Sequence, residues 1–484
     1  MNLNAEQICN ACMGQFLVEP KDTTVFAMAA KIDSRQINCG DMFVAMQGEN
    51  VDGHNFIKDV IEKRASIVIV EKDIDEKILK LARESYVCVI KVKNSEKALA
   101  DIAIEWRKNV IGKVIGITGS VGKTTTKKLV YEVLCNKYQV TANEGNYNNE
   151  LGLPITLCSS NFEDDYLVTE MGMSAMGEIE YLCNIAQPEW GIITNIGEAH
   201  IEFLGSKENI AKAKAELPLA IPNNIGKIFL PTDDEYTNFI IQYAKLEERN
   251  IEIIRYGGCE FHDEIKTPQL WYEDVQYDEK GHPSFYVCIR GFWNSEIEKQ
   301  KCYLNLAGKH NISNACAAIA IALRADISLT KAIETLKNTT PEDGRQEVIK
   351  AHDGYSIIND AYNANPQSMI SSIETFATIS TMGKRIAFLG DMLELGEYEI
   401  EAHEKVGEIV VENNIDELIC VGPLSKYIFE AAIKSGMKTD CAKHFENNED
   451  ALIYLKKIAK PKDLILFKAS NSMGFQKIAK DLMG

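Results

Sequence analysis

KVIGITGSVGKTTTKKLVYEVL, residues 113–134, is the stretch of the sequence that decides the fold. Its residues are ordered as a strand, a glycine-rich loop and a helix that begins near Lys123. Gly119 and Gly122 allow backbone N–H groups to turn inward around a phosphate, and the helix adds the positive end of its dipole. The stretch therefore predicts a phosphate-binding loop after a strand of a parallel sheet.

The side chains of this loop are of the types that nucleotide binding needs. Lys123 would reach the β- and γ-phosphates of a nucleotide, and the Thr124 hydroxyl would ligate Mg²⁺. The strict pattern G-x-x-x-x-G-K-[ST] requires glycine where this chain has Ile117, and the glycines stand at 116 and 119 instead. The alternative is a glycine-rich turn between strand and helix that binds no ligand. The residues predicted to contact the nucleotide here are Gly119, Ser120, Val121, Gly122, Lys123, Thr124 and Thr125.

The length and the pattern of the chain predict an α/β protein of three domains. At about 150 residues per domain, 484 residues correspond to roughly three. We expect a mixed α/β domain over 1–110, a central domain over 111–340 and a Rossmann-like domain over 341–484. The central domain would hold the phosphate loop on a parallel sheet, with a small antiparallel β insertion near 250–305. Strands are predicted at 66–70, 86–92, 165–172, 190–197, 226–231, 355–362, 385–392, 417–422 and 463–470, and one helix face is predicted from Ala402, Val406, Ile409 and Val410.

Composition and charge exclude several classes of protein. The net charge of −19 argues against a protein whose main task is to grip nucleic acid, although one local pocket can still be positive. The first residues show no signal peptide, and no apolar run approaches the roughly 18 residues of a membrane helix. Thirteen cysteines without a framework suit reduced thiols in a cytosol. Cys9 and Cys12 form a single C-x-x-C, which we interpret as small apolar residues on an N-terminal helix rather than as half of a metal site. We therefore expect a cytoplasmic protein without nucleic-acid partners or membrane insertion.

Two residues at predicted strand ends are candidates for a metal site. Glu170 ends the run DYLVTE, and His200 follows WGIITNIGEA. Ligands of open α/β sheets bind beyond the carboxyl ends of the strands, where a carboxylate can hold Mg²⁺ beside a triphosphate. Histidine is a poor ligand for a hard cation, so the spacing alone leaves a structural role open for both residues.

A series of motifs resembles the Mur ligase family, which forms amide bonds with ATP in peptidoglycan precursor synthesis. TGSVGKTTT, TANEGNYNNELGLP, EMG, NIGEAHIEFLGS, AKAKAE, AGKHNISNACAA, GR, DAYNANPQSM and GDMLELG occur in this order. The first of them is shared with folylpolyglutamate synthetases. DAYNANPQSM with GDMLELG resembles the members that join D-alanyl-D-alanine to UDP-N-acetylmuramoyl-tripeptide, and DSR…GDMFVAMQG…DGHNFI resembles a uridine-nucleotide domain. The resemblance implies those two substrates, ATP and two Mg²⁺ ions, and we expect a monomer.

The resemblance also implies roles for individual residues. Glu170 matches a Mg²⁺ carboxylate, His200 the histidine of a second metal, and Lys214 a lysine that is carbamylated in related ligases; a lysine on a helix surface is the alternative. Arg345 matches an arginine that reaches the ATP phosphates, and Asp360 an acid that bonds the ribose. His310, Asn311 and Asn314 match residues around the adenine, where capping of a helix is an alternative or additional role. The substrate candidates are Ser34 and Arg35 at the uridine diphosphate, Asn149 at nucleotide or muramoyl substrate, and Asn363 and Asn365 near the dipeptide.

One departure and three alternatives accompany the resemblance. The family often has K-G-S-R near the C-terminus, where this chain has Lys468-Ala469-Ser470-Asn471, so an arginine is replaced by Asn471. A folylpolyglutamate synthetase or another Mur-type ligase would share the ATP site but should lack the DSR…DGH region or DAYNANP. A kinase or GTPase-like switch would share only the phosphate loop. A non-catalytic nucleotide-binding paralogue would not need all of Lys123, Thr124, Glu170 and His200.

Overall fold

The computed structural model describes residues 1–48, 51–262, 264–293 and 295–483, and their strands form three large sheets in succession along the chain. A two-stranded antiparallel pair of β1 and β3 accompanies the first of them. The N-terminal strands are β1 (Leu3–Asn4), β2 (Gln15–Val18), β3 (Phe26–Ala27), β4 (Ala30–Lys31), β5 (Met42–Val44), β6 (Ile67–Val70) and β7 (Cys88–Lys91). The helices of this part are α1 (Ala5–Ala11), α2 (Ile57–Glu62), α3 (Glu76–Glu84) and α4 (Ser95–Arg107). The sheet order is β2-β7-β6-β5-β4, parallel except for β2.

The central sheet carries the phosphate loop. Its strands are β8 (Lys113–Thr118), β9 (Val140–Ala142), β10 (Tyr166–Glu170), β11 (Trp190–Ile193), β12 (Lys227–Pro231), β13 (Glu252–Tyr256), β14 (Gln269–Tyr277), β15 (Pro283–Arg290) and β16 (Glu298–Tyr303). Its helices are α5 (Lys123–Leu134), α6 (Gly152–Ser159), α7 (Glu178–Ala186), α8 (Ile201–Leu204), α9 (Lys207–Lys214), α10 (Glu216–Ala220), α11 (Thr237–Tyr243), α12 (His310–Arg324) and α13 (Leu329–Leu336). The order is β16-β15-β14-β13-β12-β11-β8-β10-β9, parallel from β9 to β14.

The third sheet follows a short linker over residues 337–346. Its strands are β17 (Glu347–Lys350), β18 (Ser356–Asn359), β19 (Arg385–Gly390), β20 (Glu417–Val421), β21 (Ala442–Phe445) and β22 (Leu464–Lys468). Its helices are α14 (Pro366–Thr378), α15 (Glu399–Glu412), α16 (Ser425–Lys434), α17 (Asn448–Ile458) and α18 (Phe475–Asp481). The order β17-β18-β22-β19-β20-β21 is parallel except for β17, as alternating strands and helices predict.

The strands that lead to the phosphate loop are buried on both faces. Ile115 and Ile117 of β8 share a buried cluster with apolar residues of α5 and α12, whereas Val114 shares one with residues of α6 and α9. Near-continuous apolar strands are typical of a parallel sheet covered by helices on both sides. The carboxyl ends of β8, β10 and β11 therefore remain as the open edge at which polar side chains can gather.

The predicted elements are present, with one difference in the β-rich stretch. The nine strands predicted outside residues 113–134 all contain an observed strand, and the predicted face of α15 is buried. Strands β14 to β16 are antiparallel to one another, as predicted, and they extend the central sheet, whereas β13, within the same predicted range, pairs with β12 in parallel. Residues 263 and 294 of this stretch lie outside the described ones. None of the helices in the described ranges is long and apolar enough to cross a membrane.

Candidate active site

A cavity of about 1330 Å³ opens at the carboxyl ends of β8, β10 and β11. The central sheet contributes its phosphate loop, Glu170 and His200 to the walls. Arg345 and the segments around Asp360 and Lys468 line it from the third sheet. Residues predicted from distant parts of the chain thus face one space large enough for a nucleotide and a second substrate.

The phosphate loop is braced by the segment that follows β11. The N–H groups of Ser120 and Val121 donate to the backbone oxygen and to Oδ1 of Asn195, at 3.1 and 3.0 Å, and the Thr194 hydroxyl donates to the Val121 carbonyl at 2.6 Å. Gly119 has a φ of +149°, and a Cβ there would lie 1.8 Å from Oγ1 of Thr194. Only glycine fits this position. All predicted loop residues except Gly119 line the cavity.

Lys123 begins α5, and its ammonium turns back onto the loop. Nζ donates to the carbonyls of Gly119, at 2.7 Å, and Ser120, at 3.4 Å. Burial lowers the pKa of Lys123, Glu170 opposes this effect and Arg345 adds to it. An incoming phosphate oxygen would be a stronger acceptor for this ammonium than the two carbonyls.

Glu170 ends β10 and presents one carboxylate oxygen without a hydrogen bond. The residue is 2% exposed, and Oε1 accepts from Nδ2 of Asn148 at 2.8 Å. Oε2 is buried without a hydrogen-bond partner among the described residues, and Nζ of Lys127 is 3.8 Å away. A buried carboxylate oxygen in this condition fits coordination of a divalent cation. Sequence reasoning missed Lys127 and Asn148, although Lys127 lies one helical turn after Lys123, a spacing that places both on one face.

His200 is held in an unusual backbone conformation between β11 and α8. Its φ is +63°, a left-handed value that residues other than glycine rarely adopt. Nδ1 lies 2.7 Å from Oε2 of Glu394, which belongs to the third sheet's segment after β19. The pKa of His200 is lowered, mainly by burial and then by Lys123, while Glu394 raises it. A neutral imidazole is the form that binds metals.

Lys214 is the last residue of α9 and does not line the cavity. It is 1% exposed, and none of the described residues hydrogen-bonds or ion-pairs with its ammonium. Burial lowers its pKa well below the ordinary value, and Lys123 lowers it further. The position excludes the alternative of a lysine on a helix surface. It favours a neutral amine, which is the nucleophilic form of lysine.

Arg345 connects the linker with the phosphate loop. Its Nη2 donates to the Thr124 hydroxyl at 2.7 Å, and its guanidinium lies 4.2 Å from the ring centre of Tyr362. Nε of Arg345 also forms an ion pair with Glu342, whose Oε2 is 3.8 Å away. The arginine is thus oriented toward the first turn of α5 and the loop before it.

Asp360 and Lys468 form an ion pair at the opposite wall. Nζ of Lys468 donates to Oδ2 of Asp360 at 2.7 Å and to the carbonyls of Asp360 and Asn363 at 3.2 and 3.3 Å. Oδ1 of Asp360 accepts from the N–H of Gln346. The pKa of His310, close by, is lowered to about 4, chiefly by burial. Sequence reasoning considered the segment 468–471 only for Asn471, which lines the cavity, and missed the role of Lys468.

Asn311 and Asn314 link α12 to α5. Nδ2 of Asn311 donates to the carbonyl of Ala307, Nδ2 of Asn314 donates to Oδ1 of Asn311, and Oδ1 of Asn314 accepts from the Thr126 hydroxyl. Neither side chain caps α12, whose first residue is His310 and whose N-cap makes no side-chain hydrogen bond. The chain of hydrogen bonds fixes the helix that carries the phosphate loop, and both asparagines also line the cavity.

The five predicted substrate residues fall into two groups. Asn149, Asn363 and Asn365 line the cavity, and each also supports its own loop. Oδ1 of Asn365 accepts from the Ser368 N–H in a capping box at the start of α14, and Oδ1 of Asn149 accepts from the Gly152 N–H. Ser34 and Arg35 lie away from the cavity, and the Arg35 side chain is 87% exposed and paired with Asp33 at 2.8 Å.

Comparisons with known proteins cover the chain from end to end. Three family profiles match it in succession: "Mur ligase family, catalytic domain" over 29–107, "Mur ligase middle domain" over 117–322, and "Mur ligase, glutamate ligase domain" over 344–471. The UDP-N-acetylmuramoyl-tripeptide–D-alanyl-D-alanine ligase of Bacillus subtilis is 34% identical over 96% of this chain and 95% of its own length. Crystal structure I of MurF from Acinetobacter baumannii superimposes with a TM-score of 0.83 at 28% identity, covering 100% of this chain and 99% of that one. MurF ligase from Thermotoga maritima in complex with ADP has a TM-score of 0.74 at 28% identity, covering 94% and 98%.

Proposed function

Since the chain belongs to the Mur ligase family, we propose how its cavity performs the ligation of D-alanyl-D-alanine to UDP-N-acetylmuramoyl-tripeptide that its similar relatives are named for. The protein is an ATP-dependent ligase of peptidoglycan synthesis. The assignment of the site rests on one observation: residues of the phosphate loop and of the DAYNANP segment line the same cavity. Phosphoryl transfer and amide formation require that these two groups of residues face each other.

The reaction follows from the need to turn a carboxylate into an electrophile. The terminal carboxylate of the tripeptide attacks the γ-phosphorus of ATP, which yields an acyl phosphate and ADP. The free amine of D-alanyl-D-alanine then attacks the acyl carbon, and the tetrahedral intermediate loses phosphate and a proton to leave the amide. Positioning and neutralisation of charge carry the first step.

Three residues supply that positioning in our proposal. Lys123 exchanges its two carbonyl acceptors for phosphate oxygens, and Arg345 brings a second cation from the third sheet's side. Asp360 binds the ribose with the oxygen capacity that Lys468 and Gln346 leave free. His310, Asn311 and Asn314, which line the same cavity, would surround the adenine.

Mg²⁺ ions fit the donor groups that face this cavity. Oε2 of Glu170, the hydroxyl of Thr124 and the imidazole of His200 would hold two ions, which when bound would neutralise charge on the transferring phosphoryl group. The buried, neutral Lys214 fits carbamylation, in which the amine attacks CO₂ and loses a proton. The product would be an anion beside two cations in place of an unpaired lysine.

The remaining parts of the proposal concern organisation. The segments 1–110, 111–340 and 341–484 act as domains for the uridine nucleotide, ATP and the dipeptide, since each contains one of the large sheets. Ser34 and Arg35 bind the uridine diphosphate, and Asn149, Asn363 and Asn365 contact the precursor and the dipeptide. We further propose a cytoplasmic monomer that does not bind nucleic acid.

Release of phosphate under omission of each substrate tests the function. The complete mixture of ATP, Mg²⁺, UDP-tripeptide and D-alanyl-D-alanine should release phosphate and form the pentapeptide product. Omission of either cosubstrate should abolish turnover. Steady release without D-alanyl-D-alanine, or none in the complete mixture, would contradict the assignment, and Lys123→Ala supplies the inactive control.

A further inference from the structure

The hydrogen bond between His200 and Glu394 joins two parts of the cavity that are 194 residues apart in the chain. His200 follows β11 of the central sheet, and Glu394 follows β19 of the third sheet. Nδ1 of the imidazole and Oε2 of the carboxylate are 2.7 Å apart. Both side chains line the cavity.

The identity of the partner fixes the state of the imidazole. A carboxylate oxygen accepts hydrogen bonds, so Nδ1 carries the proton and the lone pair of a neutral ring is on Nε2. Within the described part of the chain Nε2 has no hydrogen-bond partner. A histidine that is oriented by a carboxylate through one nitrogen presents the other to a metal in a fixed direction.

The segment that carries Glu394 also packs against α8, which follows His200. Gly396, two residues after Glu394, lies against α8, since a Cβ on Gly396 would be 3.2 Å from Cγ of Glu202. His200 itself has a left-handed backbone, with a φ of +63°. Glu394 itself is half exposed, so the pair contributes little to folding stability, and orientation is its main effect.

We propose that Glu394 is a positioning residue that prepares His200 as a metal ligand only when the third sheet's segment is docked on the central one. The inference rests on the metal role of His200 proposed above. It adds that the metal site is assembled across the two parts of the molecule. Opening of the cavity would withdraw Glu394 and leave the imidazole free to rotate.

The test measures Mn²⁺ binding by electron paramagnetic resonance in the presence of a non-hydrolysable ATP analogue, without turnover. Glu394→Ala should weaken the affinity of the more weakly bound Mn²⁺ by about 10- to 100-fold. Glu394→Gln, which keeps an acceptor oxygen, should have a smaller effect. Glu397→Ala is the matched control, because Glu397 is an exposed glutamate of the same segment, and it should bind as the wild type does.

Steady-state kinetics provide a second readout on the same variants. Glu394→Ala should lower kcat at sub-saturating Mg²⁺ and recover at high Mg²⁺, with the KM for D-alanyl-D-alanine unchanged. Thermal unfolding of each variant checks that the fold is intact, and Glu394→Gln carries the test where the alanine variant fails this check.

A parallel His200→Ala variant separates the two levels of the argument. Unchanged Mn²⁺ binding in His200→Ala would refute the metal role of His200 and the inference with it. Weakened binding in His200→Ala together with wild-type binding in Glu394→Ala would refute the role of Glu394 alone. Tighter binding in Glu394→Ala would also overturn it, because Glu394 would then block the ligand instead of orienting it.

Discussion

Replacement of Lys468 by methionine removes the cation of the buried ion pair while it keeps an unbranched side chain in place. The Lys468 side chain is 3% exposed and its ammonium makes three hydrogen bonds, one of them to the carboxylate of Asp360 at 2.7 Å. Removal of one partner of a buried ion pair costs about 3–5 kcal/mol. The Asp360 side chain is 15% exposed and still accepts a hydrogen bond from the N–H of Gln346 in the variant. Water can therefore solvate part of the carboxylate that Lys468 leaves unpaired. We therefore expect the lower end of the range, a destabilisation of about 3 kcal/mol.

A surface pair of the same sheet supplies the matched control. Lys384 pairs with Glu417 at 2.6 Å, but its side chain is 57% exposed. Lys384→Met should cost less than about 1 kcal/mol, because water screens the exposed pair. Urea unfolding followed by circular dichroism gives the midpoints for both variants.

The double variant identifies the cause of the loss. Asp360→Asn in the Lys468→Met background removes the uncompensated charge, so much of the lost stability should return. The carbonyls of Asp360 and Asn363 stay without their donor, which leaves a residual cost of about 1–2 kcal/mol. Equal effects of Lys468→Met and Lys384→Met, or a double variant that is no more stable than Lys468→Met, would refute the reasoning.

Three further predictions concern residues of the central sheet and of α12. Lys123→Ala should abolish release of phosphate in the complete reaction, and turnover at the wild-type rate would contradict its role at the phosphates. Lys214 should give a carbamate signal in ¹³C NMR after incubation with ¹³C-bicarbonate; the same signal from Lys214→Met would place the carbamate elsewhere. His310 has a pKa of about 4 in the folded protein, below the ordinary value of 6.5, so between these pH values the unfolded chain binds a proton that the folded chain does not bind. Its contribution to stability is therefore present above pH 6.5 and lost as the pH falls toward 4, and urea midpoints across this range should decline more steeply in the wild type than in His310→Gln.

The features that sequence predicted well are those that local chemistry determines. A strand, a loop with glycines at 119 and 122 and a helix lie within one stretch, and the structure has β8, the braced loop and α5 there. The parallel pairing of β14 with β13 joins the antiparallel strands to the central sheet, and periodicity does not reveal it, because the alternation of apolar residues specifies neither the partner nor the direction of a strand. Asn365 shows the opposite case. The order Asn-Pro-x-Ser is typical of a capping box with proline at the first helical position, so local sequence indicates its structural role, whereas its contact with the dipeptide stays a proposal.

The buried cations were harder to predict because their partners are remote in sequence. Lys127 lies beside Glu170, and Lys468 beside Asp360, 108 residues away in the chain. The ammonium of each lysine donates hydrogen bonds to backbone carbonyls of a loop. Lys127 donates to Asn143 and Gly145, and Lys468 donates to Asp360 and Asn363. Such a contact leaves no pattern in the sequence, because a carbonyl acceptor has no side-chain identity.

The contacts across the cavity indicate why closure and catalysis belong together. The net charge of −19 repels anionic nucleotides from the surface as a whole, so attraction must come from cations inside the cavity. Lys123 is part of the central sheet's loop, but Arg345 reaches the Thr124 hydroxyl from the linker, and Glu394 hydrogen-bonds His200 from beyond β19. An open molecule would lack Arg345 and Glu394, the two groups that we propose act on phosphate and on the metal ligand, and it would admit water to the acyl phosphate. A closed molecule gains both groups in the same movement that excludes water, so the reactive intermediate forms only where hydrolysis is suppressed.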